Sequence, residues 1–344
     1  MLNPKNGRTH LKWLLDRVFI LATVILFLLS VAGYFGLFNR YLELTSHFKL
    51  QYLVASFCPF FYFLLRRQPL ALSLSLFCLL INFYEIAPWY LPQSFSPANE
   101  IQGQPVKVLQ SNVDKYGNNY PQVLSLVRKE KPDIAVFLEV GKKGAKELEV
   151  LRDILPYSIA YQDVDIDGRA IYSKFPLRNT SVKSLGGGRK SLLADITIQG
   201  KIVSLIAVHP SNAVGKAYVE ERNRQLEAIG DYVANLKNPL LIGDFNITMW
   251  SPYYNRFVSK ANVHNSRRGF GLLPTWPTFR PLLYIPIDHC FVHRDMKVLN
   301  TRTAHPVGSD HLPLITDLLI SKKSVGIGDS QLPTPNSQLL TPDS

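Results

Sequence analysis

Apolar and polar positions follow two regimes along this chain. Up to about residue 90 the apolar positions form unbroken runs. "VFILATVILFLLSVAGYFGLF" (18–38) holds 21 residues without a charge, long enough to span a bilayer. "FKLQYLVASFCPFFYFLL" (48–65) is shorter and has Lys49 at its edge, and "PLALSLSLFCLLINFYEIAP" (69–88) is again long enough, with Glu85 near its end. The pattern predicts three transmembrane helices at about 18–38, 48–65 and 69–88, within a membrane anchor covering 1–92. A cleaved signal peptide would explain only the first run, and no small-residue cleavage pattern follows it. A Pro-, Ser- and Gln-containing stretch, "LPQSFSPANEIQGQ", then leads through a linker (93–104) into the second regime.

From residue 105 to 320 short apolar runs alternate with amphipathic ones. "VKVLQSNV" reads as a strand ending at Asn112, and 120–130 as a helix. "DIAVFLEV" reads as a strand ending at Glu139, and 144–154 as a second helix. "RAIYSKFPL", "SLLADITIQG" and "KIVSLIAVHP" read as strands separated by turn-like "GGGRK" and "QGK". Leu226, Ile229, Val233 and Leu236 recur at helical spacing. "PLLIGDFN", "IDHCFVH" and "HLPLITDLLI" complete the strands. Hairpins mixed with strand–helix–strand units predict two sheets packed face to face with helices outside. The Ser-, Pro-, Gln- and Thr-rich stretch 321–344 is expected to be a disordered tail.

Charge sharpens the division. Residues 1–100 hold eight Lys/Arg and four Asp/Glu, and the remainder holds thirty and twenty-two. The later segment's excess of eight positive charges favours anionic partners, nucleic acid or an acidic membrane surface. Lys5, Arg8, Lys12 and Arg17 precede the first span, and Arg66 with Arg67 follow the second, whereas the intervening loop has only Arg40 with Lys49 at its margin. The positive-inside rule then puts the N-terminus and the Arg66–Arg67 turn in the cytoplasm. Three spans carry the domain to the extracytoplasmic side of a plasma (inner) membrane; with two spans it would stay inside. Cys58 and Cys78 lie in the spans and Cys290 is alone in the domain, so the domain can build neither a disulfide framework nor a thiolate metal site.

The chemistry gathers at strand ends. "LLIGDFNIT" (241–249) stops on Asp244 and Asn246, two positions apart, so that on an extended chain they would point the same way. A turn alone would explain an Asp and an Asn there. Asn112, Glu139, His209, Asp288, and Asp310 with His311, also stand at strand ends, several just after an apolar run. Buried charged groups require partners or a cation, and several at equivalent positions indicate one polar site at one edge of the sandwich.

The ordered set "QSNV", "FLEV", "GRAIYSKFPL", "VHPSNA", "GDFN", "IDHCFV" and "GSDHLPL" resembles the endonuclease/exonuclease/phosphatase superfamily, which includes pancreatic-type DNases, abasic-site endonucleases, neutral sphingomyelinases and inositol-polyphosphate 5-phosphatases. The resemblance covers about 105–320 and excludes the spans. It implies a DNase I-like four-layered α/β sandwich, here preceded by three transmembrane helices. Glu139 matches the metal-binding glutamate and Asn112 the asparagine beside it. Asp310 is placed on the metal side, and oxygen donors suit Mg²⁺ or Mn²⁺. Asp244 and Asn246 match the acid and amide that face the scissile phosphate. His311 matches the essential histidine and Asp288 the acid that orients it. His209 matches a phosphate contact or general acid, and Asn212 a phosphate-contacting asparagine of some members. Arg169 is a further candidate phosphate contact, while Arg189 and Lys190 read as a solvated turn. Trp250, Trp276 and Phe279 are equally suited to a substrate groove or to packing. His264, His289, His293 and His305 match no role in the family.

The resemblance implies a metal-dependent phosphodiesterase in which water attacks in line. A nuclease-like activity fits the basic balance and His209; a sphingomyelinase-like attack on a lipid headgroup, or a phosphatase activity, fits the anchor. The expected partners are therefore a phosphodiester substrate, nucleic acid or phospholipid, and the lipid bilayer. Nothing points to a protein partner. An inactive binding module on a membrane stalk is the non-enzymatic alternative, disfavoured because each position keeps the residue type that the chemistry needs.

Overall fold

The apolar runs of the domain become strands buried on both faces. The computed structural model describes residues 4–92, 103–114, 119–162, 168–212 and 214–321. The expected linker (but for residues 103 and 104) and tail (but for Ser321) lie outside the described residues. One six-stranded sheet contains β1 (Gly103–Asn112), β2 (Ile134–Leu138), β3 (Tyr157–Tyr161), β4 (Arg169–Ser173), β11 (Met296–Thr303) and β12 (Leu314–Ser321), in the order β11-β12-β1-β2-β4-β3. The other contains β5 (Arg178–Ser184), β6 (Lys190–Ile198), β7 (Lys201–Val208), β8 (Pro239–Asp244), β9 (Val263–Asn265) and β10 (Asp288–His293), in the order β5-β6-β7-β8-β10-β9.

Alternation decides which side chains meet. Val106 and Val108 of β1, Ile134, Val136 and Leu138 of β2, Leu205 and Ala207 of β7, Leu240 and Ile242 of β8, and Cys290 and Val292 of β10 form the core between the sheets. The residues between them turn outward. Leu109, Ala135 and Phe137 meet Tyr120, Val123, Leu126 and Val127 of α5 (Tyr120–Glu130) and Leu148 of α6 (Lys142–Leu148). Ile206, Val208 and Leu241 meet Leu226, Ile229 and Val233 of α7 (Lys216–Ala234), with Tyr254 and Phe257 of α8 (Pro252–Ala261). Each fully buried aliphatic side chain contributes about 1.5–3 kcal/mol. The result is the expected four layers: helices, sheet, sheet, helices. Parallel pairs β1–β2 and β7–β8 stand at the middle of their sheets. Gly243 allows the second pair its close approach, since a Cβ there would lie 1.9 Å from the Val208 carbonyl oxygen.

The amino-terminal part forms α1 (Pro4–Ala32), a short α2 (Arg40–Thr45), α3 (Lys49–Arg66) and α4 (Pro69–Ile86). Three helical stretches, His10–Phe35, Arg40–Arg66 and Pro69–Trp89, are long and apolar enough to cross a membrane. Far from the domain, Asp16 accepts hydrogen bonds from Arg66 and Tyr62 at 2.7–3.0 Å. At the other end the bundle grips the domain. Arg222 and Glu43 form a buried ion pair at 2.7 Å, Ser251 donates to Glu43 at 2.8 Å, and His47 meets Thr248 at 2.9 Å. Trp250 donates its indole N–H to the Glu85 carbonyl at 3.1 Å, and Ile86 packs in the α7–α8 layer. The loop expected between the first two spans is thus an ordered elbow. Lys49, read as a span edge, is buried and donates to the Ser30 carbonyl.

Candidate active site

The two periodicities that build the core also build the site. Val106, Val108, Gln110 and Asn112 share one face of β1, and Leu240, Ile242 and Asp244 share one face of β8. His209 continues the inner face of β7, and Asp288 starts that of β10, directly opposite Asp244 in the ladder. One end of the apolar seam between the sheets is therefore closed by polar side chains. His311 joins them from the turn before β12, whose Leu314 pairs with Gln110.

A chain of contacts runs through this edge. Gln110 donates to Asp288 Oδ1 at 2.6 Å, and His311 Nδ1 lies 2.8 Å from Asp288 Oδ2. His311 Nε2 is 3.7 Å from Asp244 Oδ2, which is 3.5 Å from His209 Nε2. His209 Nε2 reaches Glu139 Oε1 at 3.8 Å, and Asn112 Nδ2 donates to that oxygen at 3.0 Å. Six of the expected residues, Asn112, Glu139, His209, Asp244, Asp288 and His311, thus stand in one continuous array.

Electrostatics divide the array. Burial opposes charge on His311, but the Asp288 carboxylate and its hydrogen bond reverse this and push the imidazole up to about 10. Burial likewise opposes charge on Asp288, yet His311, with hydrogen bonds from Thr275 and Gln110, brings it down to about 2. Asp244 is raised to about 6 by burial and by the charge of Asp288, against the pull of His311 and His209. The deep half therefore holds a fixed imidazolium–carboxylate pair beside a carboxylate able to take a proton near neutrality.

Asp244, Asp288 and His311 offer ligand atoms all within 4.8 Å of one another. They make a poor metal centre. Both oxygens of Asp288 already accept hydrogen bonds, and the imidazolium form of His311 has no lone pair to give. Glu139 fits a hard cation better: it is an oxygen donor whose side chain keeps 27 % exposure in a site otherwise closed. Asn112 beside it, whose Oδ1 accepts one hydrogen bond from Asp114 N at 3.3 Å, has a second lone pair to give. Glu139 also adopts a positive φ of 56°, uncommon for a residue of this type.

Some residues take other places than expected. Asp310 accepts from the Trp276 indole at 3.0 Å, so the structure pairs Asn112 with Glu139 but gives Asp310 a different partner. Arg169 is buried and its guanidinium donates to the carbonyls of Lys190 and of His209, which makes it a brace for the β7 end. Asn212 uses its side-chain carbonyl in a turn, accepting from Val214 N at 3.2 Å. Arg189 is not a solvated turn residue: its guanidinium lies 3.2 and 3.3 Å from the two ring nitrogens of His209. Asn246 does not continue the strand. Its φ is 51°, its N–H bonds Asp244 Oδ1 at 2.8 Å, and its amide donates to the Pro210 carbonyl at 3.1 Å. "GDFN" is a turn and a site edge at once.

Several supporting residues carried no signal in the sequence. Gln110 was one more polar residue in a strand. Thr275 receives two backbone N–H groups at the Asp288 end, both at 3.3 Å. Arg267 is wholly buried, and donates to the Asp288 carbonyl while meeting His289 at 3.0 Å. His289, pushed down to about 3 by burial and by Arg267, is a neutral strut bonded to the Ile247 carbonyl at 2.8 Å.

Comparison with known proteins agrees with this architecture. The profile of the endonuclease/exonuclease/phosphatase family matches residues 109–311, and the chain belongs to that family. It is similar in structure to an endonuclease/exonuclease/phosphatase protein from Beutenbergia cavernae, with a TM-score of 0.52 and 20 % identity, covering 63 % of this chain and 72 % of that one. A D. rerio TDP2 complexed with single-strand DNA product gives 0.55 at 15 % identity, covering 62 % and 99 %. A Caenorhabditis elegans TDP2 gives 0.53 at 18 %, covering 64 % and 100 %. At such identities the likeness establishes the fold. Comparison with curated proteins gives no match.

Proposed function

We propose that this chain is a membrane-anchored phosphodiesterase that requires Mg²⁺ or Mn²⁺ and hydrolyses its substrate by in-line attack of water. The observation that carries this reading is the unbroken array from Asn112 and Glu139 through His209 and Asp244 to His311 and Asp288. Asn112 and Glu139 would hold the cation, which when bound neutralises phosphate charge.

The protein's own groups supply the rest. Asp244, shifted toward neutrality, accepts a proton from the attacking water. His311, kept charged by Asp288, faces the phosphate oxygens and stabilises the negative charge that grows on them. Asp288 touches no substrate; it positions His311 and holds its charge. His209 lies between Asp244 and Glu139, where it contacts the phosphate or protonates the departing oxygen. Nucleic acid and phospholipid headgroups both present the required bond, and the DNA product named for the D. rerio structure makes single-stranded DNA a natural first probe.

The full chain in nanodiscs should cleave bis(p-nitrophenyl) phosphate with Mg²⁺ or Mn²⁺ and stop in EDTA. Undiminished cleavage in excess chelator would exclude the cation, and no cleavage under any condition would favour the inactive binding module. For topology, we place the N-terminus and the Arg66–Arg67 turn in the cytoplasm and the domain outside the inner membrane. A reporter fused after residue 100 should then report the outside, and one fused near residue 67 the cytoplasm.

A further inference from the structure

The end of the sandwich that carries the site is also the end that meets the helices. The turn after β8 runs from Asp244 and Asn246 to Thr248, Trp250 and Ser251, which bond His47, the Glu85 carbonyl and Glu43. Arg222 ties the two together, donating to Glu43 with one nitrogen and to the Asn246 carbonyl with another. The segment 276–284 has one foot on each structure. At one foot the Trp276 ring lies 6.4 Å from that of His311, and Thr278 N donates to the Asp310 carbonyl at 2.9 Å. At the other, Gln51 in the first turn of α3 donates to the carbonyls of Leu282 and Tyr284 at 3.3 and 3.0 Å. A catalytic histidine and the first turn of an apolar helix are thus joined by a single short loop.

The outward side chains of this loop are apolar. Phe279 is 65 % exposed, Leu282 88 % and Leu283 42 %. The chain leaving His209 presents Val214 and Tyr218, 76 % and 55 % exposed, and lines one cavity with Arg40 and Tyr41 of the elbow, to which exposed Phe38 also belongs. Arg280, Lys216 and Arg40 stand among them, Arg280 with its guanidinium over the Phe279 ring. Apolar and aromatic side chains interleaved with cations suit the headgroup layer of a bilayer, and do not make the continuous basic strip that a nucleic-acid strand requires.

We propose that the substrate is a membrane phospholipid, reached in the bilayer that holds the helices, with 276–284 and 214–218 as lips resting in the headgroup layer. This rests on the phosphodiesterase reading and names its substrate class. Water bonds to phosphorus, one ester P–O bond breaks, and the departing oxygen takes a proton; lipid and water become a phosphomonoester and an alcohol.

The test uses the full chain reconstituted with Mg²⁺ in vesicles of phosphatidylethanolamine, phosphatidylglycerol and sphingomyelin. Its other arms are bis(p-nitrophenyl) phosphate and single-stranded DNA and RNA. Lipid should be cleaved faster than either nucleic acid. In Phe279→Ser/Leu282→Ser/Leu283→Ser the ratio of lipid rate to soluble-diester rate should fall about tenfold, since the change removes apolar area that would enter the interface. Cleavage of the soluble diester without any lipid cleavage overturns the lipid assignment and leaves the phosphodiesterase reading standing, as does preferential cleavage of DNA or RNA. Cleavage of nothing overturns both. An equal fall of lipid and soluble-diester rates in the triple variant overturns the role given to the lip.

Discussion

The deep and shallow halves of the site are built on opposite principles. In the deep half, Asp288 and His311 are buried, and both carboxylate oxygens of Asp288 have partners, Gln110 and His311, with Thr275, Trp276 and Ser309 around the flanks of the pair. In the shallow half, Glu139 leaves a carboxylate partly in solvent on a left-handed backbone, with an asparagine amide as its neighbour. A carboxylate with both oxygens taken has little to offer a cation; it supplies fixed charge and geometry, and leaves His311 Nε2, 3.7 Å from Asp244, as the edge of the pair open to a ligand. A carboxylate with free coordination capacity can exchange water for a cation. The site's two carboxylate-centred halves are therefore suited to different things, a proton arrangement in one and an ion in the other.

The largest effect should come from breaking the deep half. If His311 faces the phosphate as proposed, His311→Ala removes that charge and should lower kcat/KM by about 2–4 kcal/mol of transition-state stabilisation, the range for one lost electrostatic group. Asp288→Ala should lower it comparably, while the double variant should be little worse than His311→Ala, because one residue acts through the other. Calorimetric titration with Mg²⁺ should leave metal affinity nearly unchanged in Asp288→Ala. Additive losses, or lost metal binding, would move this carboxylate into the other half.

A second effect has the opposite sign on stability. Asp244 has its folded pKa raised from 3.8 to about 6. A raised value means the folded state favours the protonated acid, so that contribution is complete below 3.8 and is lost as pH rises through about 6. Above that range the buried charge costs stability that a neutral amide would not. Asp244→Asn should therefore be inactive yet more stable at pH 8 in EDTA, by roughly 2–3 kcal/mol from the size of the shift, with the difference closing toward pH 4. For the His311–Asp288 pair the windows differ. The contribution of His311 is complete below 6.5 and lost through about 10, and that of Asp288 is complete above 3.8 and lost through about 2. This pair should therefore leave stability flat between about pH 4 and 6.5. Thermal melts across pH distinguish these outcomes; a variant less stable than the parent at pH 8 would contradict the assignment for Asp244.

What the sequence made legible was set by local periodicity. Val106, Val108 and Leu109, or Leu240, Leu241 and Ile242, announce strands buried on both faces because apolar residues fill both alternating sets, and the residues that break such runs at their ends, Asn112, Asp244 and Asp288, fall on the site. Strands such as Arg178–Ser184, with mostly exposed polar side chains, and Met296–Thr303, broken by a bulge after Val298, have no such signature. Gln110, Thr275, Arg222 and Arg267 were invisible for another reason. Their roles come from partners 178, 13, 179 and 21 residues away, and no local pattern encodes a distant partner. Arg189 illustrates the same limit, since a Gly-rich turn reads as solvated until His209 is folded against it. Asn246 shows a subtler failure. Two-residue alternation holds only while the chain stays extended, and here the strand ends one residue after Gly243.

The smallest expected effect belongs to the shallow half and tests whether it holds the ion at all. Glu139→Gln keeps the size of the side chain and an oxygen facing the same way, but removes the charge. The carbonyl oxygens then left, that of the introduced amide and that of Asn112, are neutral donors, and a hard divalent cation gains less from them than from a carboxylate. The Mg²⁺ concentration for half-maximal activity should rise about tenfold, which is about 1.4 kcal/mol, while the maximal rate at saturating Mg²⁺ should largely recover. Recovery is what separates the halves: His311→Ala should stay impaired however much Mg²⁺ is added, because no ion replaces a fixed imidazolium. If added Mg²⁺ failed to restore Glu139→Gln but left its metal affinity at the parent value, Glu139 would be acting on His209 or the phosphate and the ion would have to be held elsewhere.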